Sequence, residues 1–395
     1  MRLLHSADWH LGRLFHARSL IEDQAHFLDQ VRTLVRELRP DALLIAGDVY
    51  DRAVPGPDAV ALLDAFLADV VLGLRVPVVM IAGNHDSAER LGFGARVLAE
   101  AGLHIAGRAR HPIEAVRLQG RHDHAWVYPV PYAEPGEVRS RFGLEGPLTH
   151  TQAMQLQLDA IRVAHPAGVP AILLAHAFVS GGEESESERP LSVGGSGAIE
   201  ARVFAGFDYV ALGHLHRAQT LGEGRLRYAG SPLKYSLSEV DHAKSLTLVE
   251  LDSLGVPRIT PLPIRPLRDL HVLTGTLAEV CAPDAAIASD AYIVARLTDR
   301  SALLDPMSRL RARYPNALAI ERLILQGEGS ASGRLERRRE TTPDALFASF
   351  FNEVTGAALD GPQQEVLHDV LLHLGQGARA VLADSPGPDG MTPSA

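Results

Sequence analysis

The sequence predicts an α/β protein with a smaller α+β unit behind it. Three observations carry this. Short aliphatic runs recur along the first two thirds of the chain, longer segments with helical apolar spacing separate the first of them, and metal-ligating residue types follow the runs directly. The runs at 3–7, 42–46, 76–82, 171–175 and 209–212 are nearly all apolar. Such runs read as strands of a sheet covered on both faces, because a sheet with one wet face would alternate. Residues 20–38 and 58–74 repeat apolar positions at helical spacing and are expected as helices. The runs at 225–229 and 245–251 look more like antiparallel strands joined by turns.

Pro261, Pro263 and Pro266 predict a boundary near residue 265, since successive prolines oppose both helix and central strand. Beyond it, strands are expected at 269–274, 291–297 and 318–325 with a helix at 301–313, a small α+β domain over 266–327. Residues 328–341 read as a linker, Gly/Ser-rich and then Arg-rich. Two short amphipathic helices are expected within 342–376. Thr342 caps the first and Pro343 starts it, with Leu346, Phe347, Phe350, Phe351 and Val354 on one stripe. The second begins near Pro362 and presents Val366, Leu367, Val370, Leu371 and Leu374. The Pro-, Gly- and Ser-rich tail over 377–395 is expected to be disordered.

At 395 residues the chain exceeds what one hydrophobic core serves. With 46% hydrophobic and 22% charged residues it has an ordinary soluble composition. No apolar run approaches the roughly 20 residues of a membrane helix, and the N-terminus reaches polar residues too soon for a signal peptide. Cys281 is the single cysteine, which excludes an internal disulfide and a thiolate metal cluster. A cytoplasmic location is the expectation. The net charge of -10 argues against a protein that coats nucleic acid electrostatically. It leaves a nuclease open, because bound cations reverse the local field.

The chemistry lies at the ends of the first five runs. They lead into Asp8 and His10, then Asp48 and Asp51, then Asn84 and His85, then His176, then His214 and His216. Ligands of α/β sheets bind beyond the carboxyl ends of strands, so these residues are expected to meet in one crevice. Carboxylate, amide oxygen and imidazole without thiolate suit a pair of divalent ions, and Asp48, on the middle strand of the set, is the natural bridge. Paired cations activate water, so no serine or cysteine nucleophile is required.

The set Asp-x-His, Gly-Asp-x-x-Asp, Gly-Asn-His-Asp, His and Gly-His-x-His resembles the calcineurin-like metallophosphoesterase superfamily, whose fold is a β-sandwich flanked by helices. Within it, LLHSADWHLG, GDVYDRAVP, AGNHDS, SESERPLSVGG, ALGHLHRAQ and YAGSPLKYSLSE resemble the SbcD-type nuclease subunits. The resemblance implies a nuclease domain over 1–265 acting on DNA as a double-strand exonuclease and single-strand or hairpin endonuclease. It implies Asp8, His10, Asp48 and His216 on one ion, Asp48, Asn84, His176 and His214 on the other, and Mn2+ as the metal. His85 would be the catalytic acid. Asp51 takes the place of the carboxylate that orients this histidine in related phosphatases, and Arg52 that of a phosphate-gripping arginine. An SMC-like ATPase is the implied partner, docked on the first C-terminal stripe, with a homodimer inside a heterotetramer. A phosphatase or small-molecule phosphodiesterase on the same fold is the alternative; Gly-Asp-x-x-Asp-Arg locally favours a phosphatase and Gly-Asn-His-Asp disfavours a protein phosphatase.

Overall fold

The computed structural model describes residues 1–120, 123–189, 191, 197–222, 224–252, 255–282, 287–323, 347–348, 351 and 358–371. Strand β1 (Arg2–Ser6) is followed by a two-residue ribbon, β2 (Leu14–Phe15) with β3 (Arg18–Ser19), and then helix α1 (Ile21–Leu38). Next come β4 (Ala42–Ala46), α2 (Pro57–Leu67) continued by a π-helical turn over Ala68–Gly73, and β5 (Val78–Ile81). Short helices α3 (Ala88–Leu91) and α4 (Ala95–Leu98) lead to β6 (Leu103–Ala106), β7 (Val116–Gln119) and β8 (His124–Val130). Helices α5 (Pro135–Arg141) and α6 (His150–Ala164) precede β9 (Ala171–His176) and β10 (Tyr209–Gly213). Strands β11 (Gln219–Leu221), β12 (Leu226–Tyr228), β13 (Ser245–Leu251) and β14 (Pro257–Pro263) complete this part.

These strands form two six-stranded sheets, ordered β14-β13-β1-β4-β5-β6 and β11-β12-β10-β9-β8-β7. The five ligand-bearing strands are thus divided between two sheets rather than sharing one. Their apolar runs are continuous because each side of each strand is covered. On β4, Ala42, Leu44 and Ala46 face the second sheet and pack with Ile172, Leu174, Tyr209 and Ala211. Leu43 and Ile45 face the other way, against Phe27, Leu28 and Val31 of α1 and Leu63 and Phe66 of α2. Across the sandwich, Leu173 and Ala175 of β9 and Val210 and Leu212 of β10 turn outward onto Met154, Leu158 and Ile161 of α6. The result is four layers, helix on sheet on sheet on helix.

Two expectations change. Strand β12 was expected to be antiparallel, but it runs parallel to β10 (Val210 beside Leu226) and antiparallel only to β11. Pro261 and Pro263 do not interrupt the sheet; they lie in β14, which pairs with β13 alone. An edge strand has a free side on which a missing N–H costs nothing, so proline is tolerated there.

The chain divides into two compact units. The first is Met1–Val272 with Ile287–Val294 and Asn316–Ala319; the second is Leu273–Ala286, Ala295–Pro315 and the chain from Ile320. Strands β15 (Leu270–Gly275), β16 (Tyr292–Leu297) and β17 (Ala317–Arg322) make a three-stranded sheet in that order. The second unit holds α7 (Leu277–Val280), which opens with a Thr276–Glu279 capping box, and α8 (Pro306–Arg313). Helix α8 starts five residues later than expected because Asp305 caps it and Pro306 takes its first position. A further helix spans 361–371, with Val366 and Val370 exposed and Leu367 and Leu371 half-buried. Phe347 is exposed and Phe351 half-buried. Leu346, Phe350, Val354, Leu374, the linker at 328–341 and the tail at 377–395 lie outside the described residues. No helix among the described residues is long and apolar enough to cross a membrane.

Leu44 is fully buried between the sheets. Leu44→Ala should lower unfolding stability by about 2–5 kcal/mol in urea denaturation, through lost transfer energy and a residual cavity. Val163→Ala, on the exposed face of α6, should change it by less than about 0.5 kcal/mol.

Candidate metal centre

Strand β1 delivers Asp8 and His10 on a loop that bends sharply, with φ of 56° at Asp8 and 45° at His10. Left-handed backbone at non-glycine residues costs on the order of 1–3 kcal/mol each and persists only where neighbours enforce it. The buried amide of Gln24 on α1 does so. Its Nε2 donates to the carbonyls of Trp9 (3.3 Å) and His10 (2.7 Å), and its Oε1 accepts from the N–H of Gly12 (2.9 Å). The Tyr235 hydroxyl donates to the same Trp9 carbonyl. The Trp9 ring is wedged edge-on between Phe27 and Phe66, and its Nε1 donates to Ser6 Oγ at 2.7 Å.

Strand β4 ends in Gly47 and Asp48, whose φ values are 87° and 48°. The side chain of Asp86 holds this bend by accepting from the backbone N–H groups of Val49 (3.0 Å), Tyr50 (2.9 Å) and Gly83 (2.9 Å). The glycines permit close approach. A Cβ at Gly83 would lie 2.1 Å from Asp48 Oδ1, one at Gly47 2.4 Å from His176 Nδ1, and one at Gly213 1.9 Å from the Ala46 carbonyl oxygen.

Asp48 sits where the two expected ligand groups meet. Its Oδ2 lies 3.7 Å from His10 Nε2 and 3.5 Å from His176 Nε2, while Oδ1 accepts from the His85 N–H at 2.9 Å. On one side His10 Nε2 faces His216 Nε2 at 3.1 Å. On the other, Asn84 Oδ1 lies 2.9 Å from His176 Nε2 and 3.3 Å from His214 Nδ1. Asp8 Oδ1 accepts from the His214 N–H at 2.8 Å, and Asp8 Oδ2 is buried without a hydrogen-bond partner. Ligand atoms of Asp8, Asp48 and His176 fall within 4.8 Å of one another, as do those of His10, Asp51 and His85.

Burial sets the charge states. It holds His10 and His214 well below the ordinary imidazole range, helped by neighbouring histidines, and it also lowers His176 and His216. Neutral imidazole is the form that binds metal. Burial, and then the charge of Asp48, push Asp8 well above the carboxylate range. Crowded acids and neutral imidazoles beside an orphaned carboxylate oxygen need positive charge, which a divalent cation supplies. The donor set therefore fits the cations that the sequence implies.

The structure brings Asp8, His10, Asp48, Asn84, His176, His214 and His216 together with His85. Asp51 lies beside them with a different contact from the one expected. Its carboxylate takes Arg13 Nη1 at 2.9 Å and lies 3.7 Å from His10 Nδ1, whereas His85 Nδ1 reaches the Asp51 backbone carbonyl at 2.9 Å. Arg13, stacked over Tyr235, neutralises the acid that was assigned to His85. The Arg52 side chain is largely exposed, its Nε 3.6 Å from Asp51 Oδ2.

Sequence reasoning gave no role to Gln24, Asp86, Ser187, Glu188, Glu239 or Lys244, all of which contact this centre or its loops. Glu188 Oε1 accepts from the His216 N–H at 2.6 Å, and burial pushes this acid up to about 7. Glu239 has no exposed surface. Burial opposes its charge, but His216 and Lys244 more than offset this and keep it well below the usual range. A signal for Lys244 was present: in an arginine-rich chain it is one of only two lysines.

Residues 1–218 match the Calcineurin-like phosphoesterase family, and residues 266–355 match the Type 5 capsule protein repressor C-terminal domain family. The SbcD subunit of the nuclease SbcCD from Staphylococcus epidermidis (strain ATCC 12228 / FDA PCI 1200) is 30% identical over 373 residues, 94% of this chain and 98% of its own. The chain belongs to the SbcD family of calcineurin-like phosphoesterases. It is thereby a hydrolase of the metal-dependent phosphoesterase class. Among solved structures, TT1561 of Thermus thermophilus is 15% identical with a TM-score of 0.39, covering 67% of this chain and 99% of its own. GAP50, the anchor in the inner membrane complex of Plasmodium, is 11% identical with a TM-score of 0.38, covering 84% and 98%.

Asp86→Ala should leave three backbone donors without an acceptor. At roughly 1–3 kcal/mol for each unsatisfied group, the loss is expected to reach about 3 kcal/mol or more, measurable by thermal unfolding of the metal-free protein. Gly83→Ala should abolish tight binding of divalent metal in calorimetric titration, because its methyl group and the Asp48 carboxylate cannot share the same space.

Proposed function

We propose that this chain is the nuclease subunit of a DNA break-processing complex, a two-metal, manganese-dependent phosphodiesterase with exonuclease and hairpin-opening endonuclease activity. The observation that carries the reading is the meeting of six donor residues around a seventh, Asp48, from strand ends of both sheets, with a histidine at the rim. Asp8, His10, Asp48 and His216 would hold one ion, and Asp48, Asn84, His176 and His214 would hold the second. When bound, the pair supplies Lewis acidity at a phosphodiester and a water nucleophile at neutral pH.

The chain's own residues do the rest. His85 Nδ1 donates its hydrogen to the Asp51 carbonyl, so the proton for the departing oxygen is a second one, carried on Nε2 of the imidazolium, which becomes neutral on giving it up. The His85 ring packs edge-on against His10 at 4.7 Å, which sets the proton donor beside a metal ligand. Asp51 acts through its backbone carbonyl, while its carboxylate pairs with Arg13 beside His10. Cleavage yields a free hydroxyl and a terminal phosphate.

The Staphylococcus epidermidis relative is named as one component of an SbcCD nuclease. We assign to this chain the corresponding partner, the SMC-like ATPase SbcC. The C-terminal stripe of Leu346, Phe347, Phe350, Phe351 and Val354 would dock it. Exposed Phe347, Val366 and Val370 support this docking. Exposed Leu72, Phe93 and Val97 support a homodimer within a heterotetramer.

Cleavage of labelled blunt and hairpin duplexes with manganese, with and without the ATPase, tests the activity. Asp48→Ala should reduce cleavage at least about 1,000-fold, since it removes the residue shared by both ions. His85→Gln should keep manganese binding and lose about 100-fold or more in kcat. Hydrolysis of a phosphopeptide but not of DNA would replace this reading with a phosphatase.

A further inference from the structure

Two segments that carry the family resemblance, SESERPLSVGG and YAGSPLKYSLSE, contain no ligand and no catalytic residue. Their described residues close on one side chain, His216. Ser187 Oγ lies 2.6 Å from His216 Nδ1 and also bonds Glu239 Oε1. Glu239 Oε1 accepts from Ser236 Oγ (3.0 Å) and the Tyr235 N–H (3.2 Å) and stands 3.4 Å from His216 Nδ1. Lys244 Nζ directs its three protons to Glu239 Oε2 (2.5 Å), Ser231 Oγ (2.8 Å) and the His216 carbonyl (3.0 Å).

This arrangement has only one consistent ordering of protons. Glu239, an anion paired with Lys244, can only accept, so the single Ser187 hydroxyl proton points to Glu239. The Ser187 oxygen must then accept from His216, and Nδ1 must carry the hydrogen. The lone pair is left on Nε2, the nitrogen that faces His10 across 3.1 Å. His176 reaches the same state through a backbone contact, its Nδ1 lying 2.8 Å from the Ala46 carbonyl oxygen. At His216 side chains do this work, so it can be removed by substitution.

We infer that Ser187 and Glu239 are positioning residues that fix His216 as its Nδ1–H tautomer and aim Nε2 at the metal centre, with Lys244 as their buried counter-charge. This rests on the reading of His216 as a metal ligand. Partners that orient a ligating imidazole typically govern metal affinity by about 10- to 100-fold.

The tautomer is read in the metal-free full-length protein by ring 15N chemical shifts of labelled histidines, with His216 assigned from a His216→Asn variant. Wild type should show Nδ1 protonated and Nε2 bare. Ser187→Ala, at a half-buried position, should mix the tautomers and weaken one of the two manganese sites about 10- to 100-fold in calorimetry. Ser187→Thr, which restores the hydroxyl, should recover both. Glu239→Gln should act in the same direction; if it fails to fold, the Ser187 pair decides alone. A bare Nδ1 in wild type overturns the inference. So do unchanged shifts and unchanged manganese affinity in a folded Ser187→Ala protein. If wild type binds no manganese, the metal reading fails, yet the shifts still decide whether Ser187 sets the tautomer.

Discussion

The Asp48 carboxylate is almost wholly buried and lies within 4 Å of two imidazoles that burial keeps neutral. A second carboxylate, Asp8, is close enough for the two charges to oppose each other. Concentrating negative charge out of water is costly unless cations or hydrogen bonds answer it. Much of the surrounding architecture supplies that answer or keeps the groups from relaxing away. The amide of Gln24, the acceptor Asp86 and the hydroxyl of Tyr235 each hold a loop that, left alone, would relieve its left-handed backbone. Four of the expected ligands, Asp8, His10, Asp48 and His214, have positive φ. The strain therefore lies at the centre and the restraint comes from the scaffold around it.

The inner strands were legible because burial on both faces removes polar alternation. The runs at 42–46 and 245–251 coincide with β4 and β13 residue for residue. The outer strands were not. In β14 the prolines that mark a break also suit an edge, and local pattern cannot separate the two. The apolar pattern alone hid the division into two sheets, which the family resemblance implied, for a related reason. A strand sandwiched between a sheet and a helix layer has the same apolar pattern as one between two helix layers, so β9 and β10 look no different from β4 and β5.

At the centre, most ligand-type residues were readable because they follow a strand closely and stand beside a glycine or a second ligand type, whereas His176, alone at the end of β9, was readable only as part of the set. The supporting residues were harder. Gln24 lies inside a helix, where a lone amide signals nothing. Ser187 is an ordinary polar residue in a turn and Glu239 one in a single 3-10 turn, and their relation to His216 exists only in three dimensions. Asp51 shows the opposite failure: the motif placed it correctly, but the side chain and main chain exchange roles because Arg13 competes for the carboxylate. Lys244 is instructive too. Its three acceptors surround a compact ammonium that a planar guanidinium would not fit, which accounts for a lysine here in a chain that uses arginine at all but two of its basic positions.

Gly213 approaches Ala46 so closely that not even a methyl group fits between the two sheets there. The sandwich is therefore riveted shut beside its chemistry. Any side chain at position 213 would part the two strand ends that carry donors, so the gauge of the centre is set by one missing carbon atom.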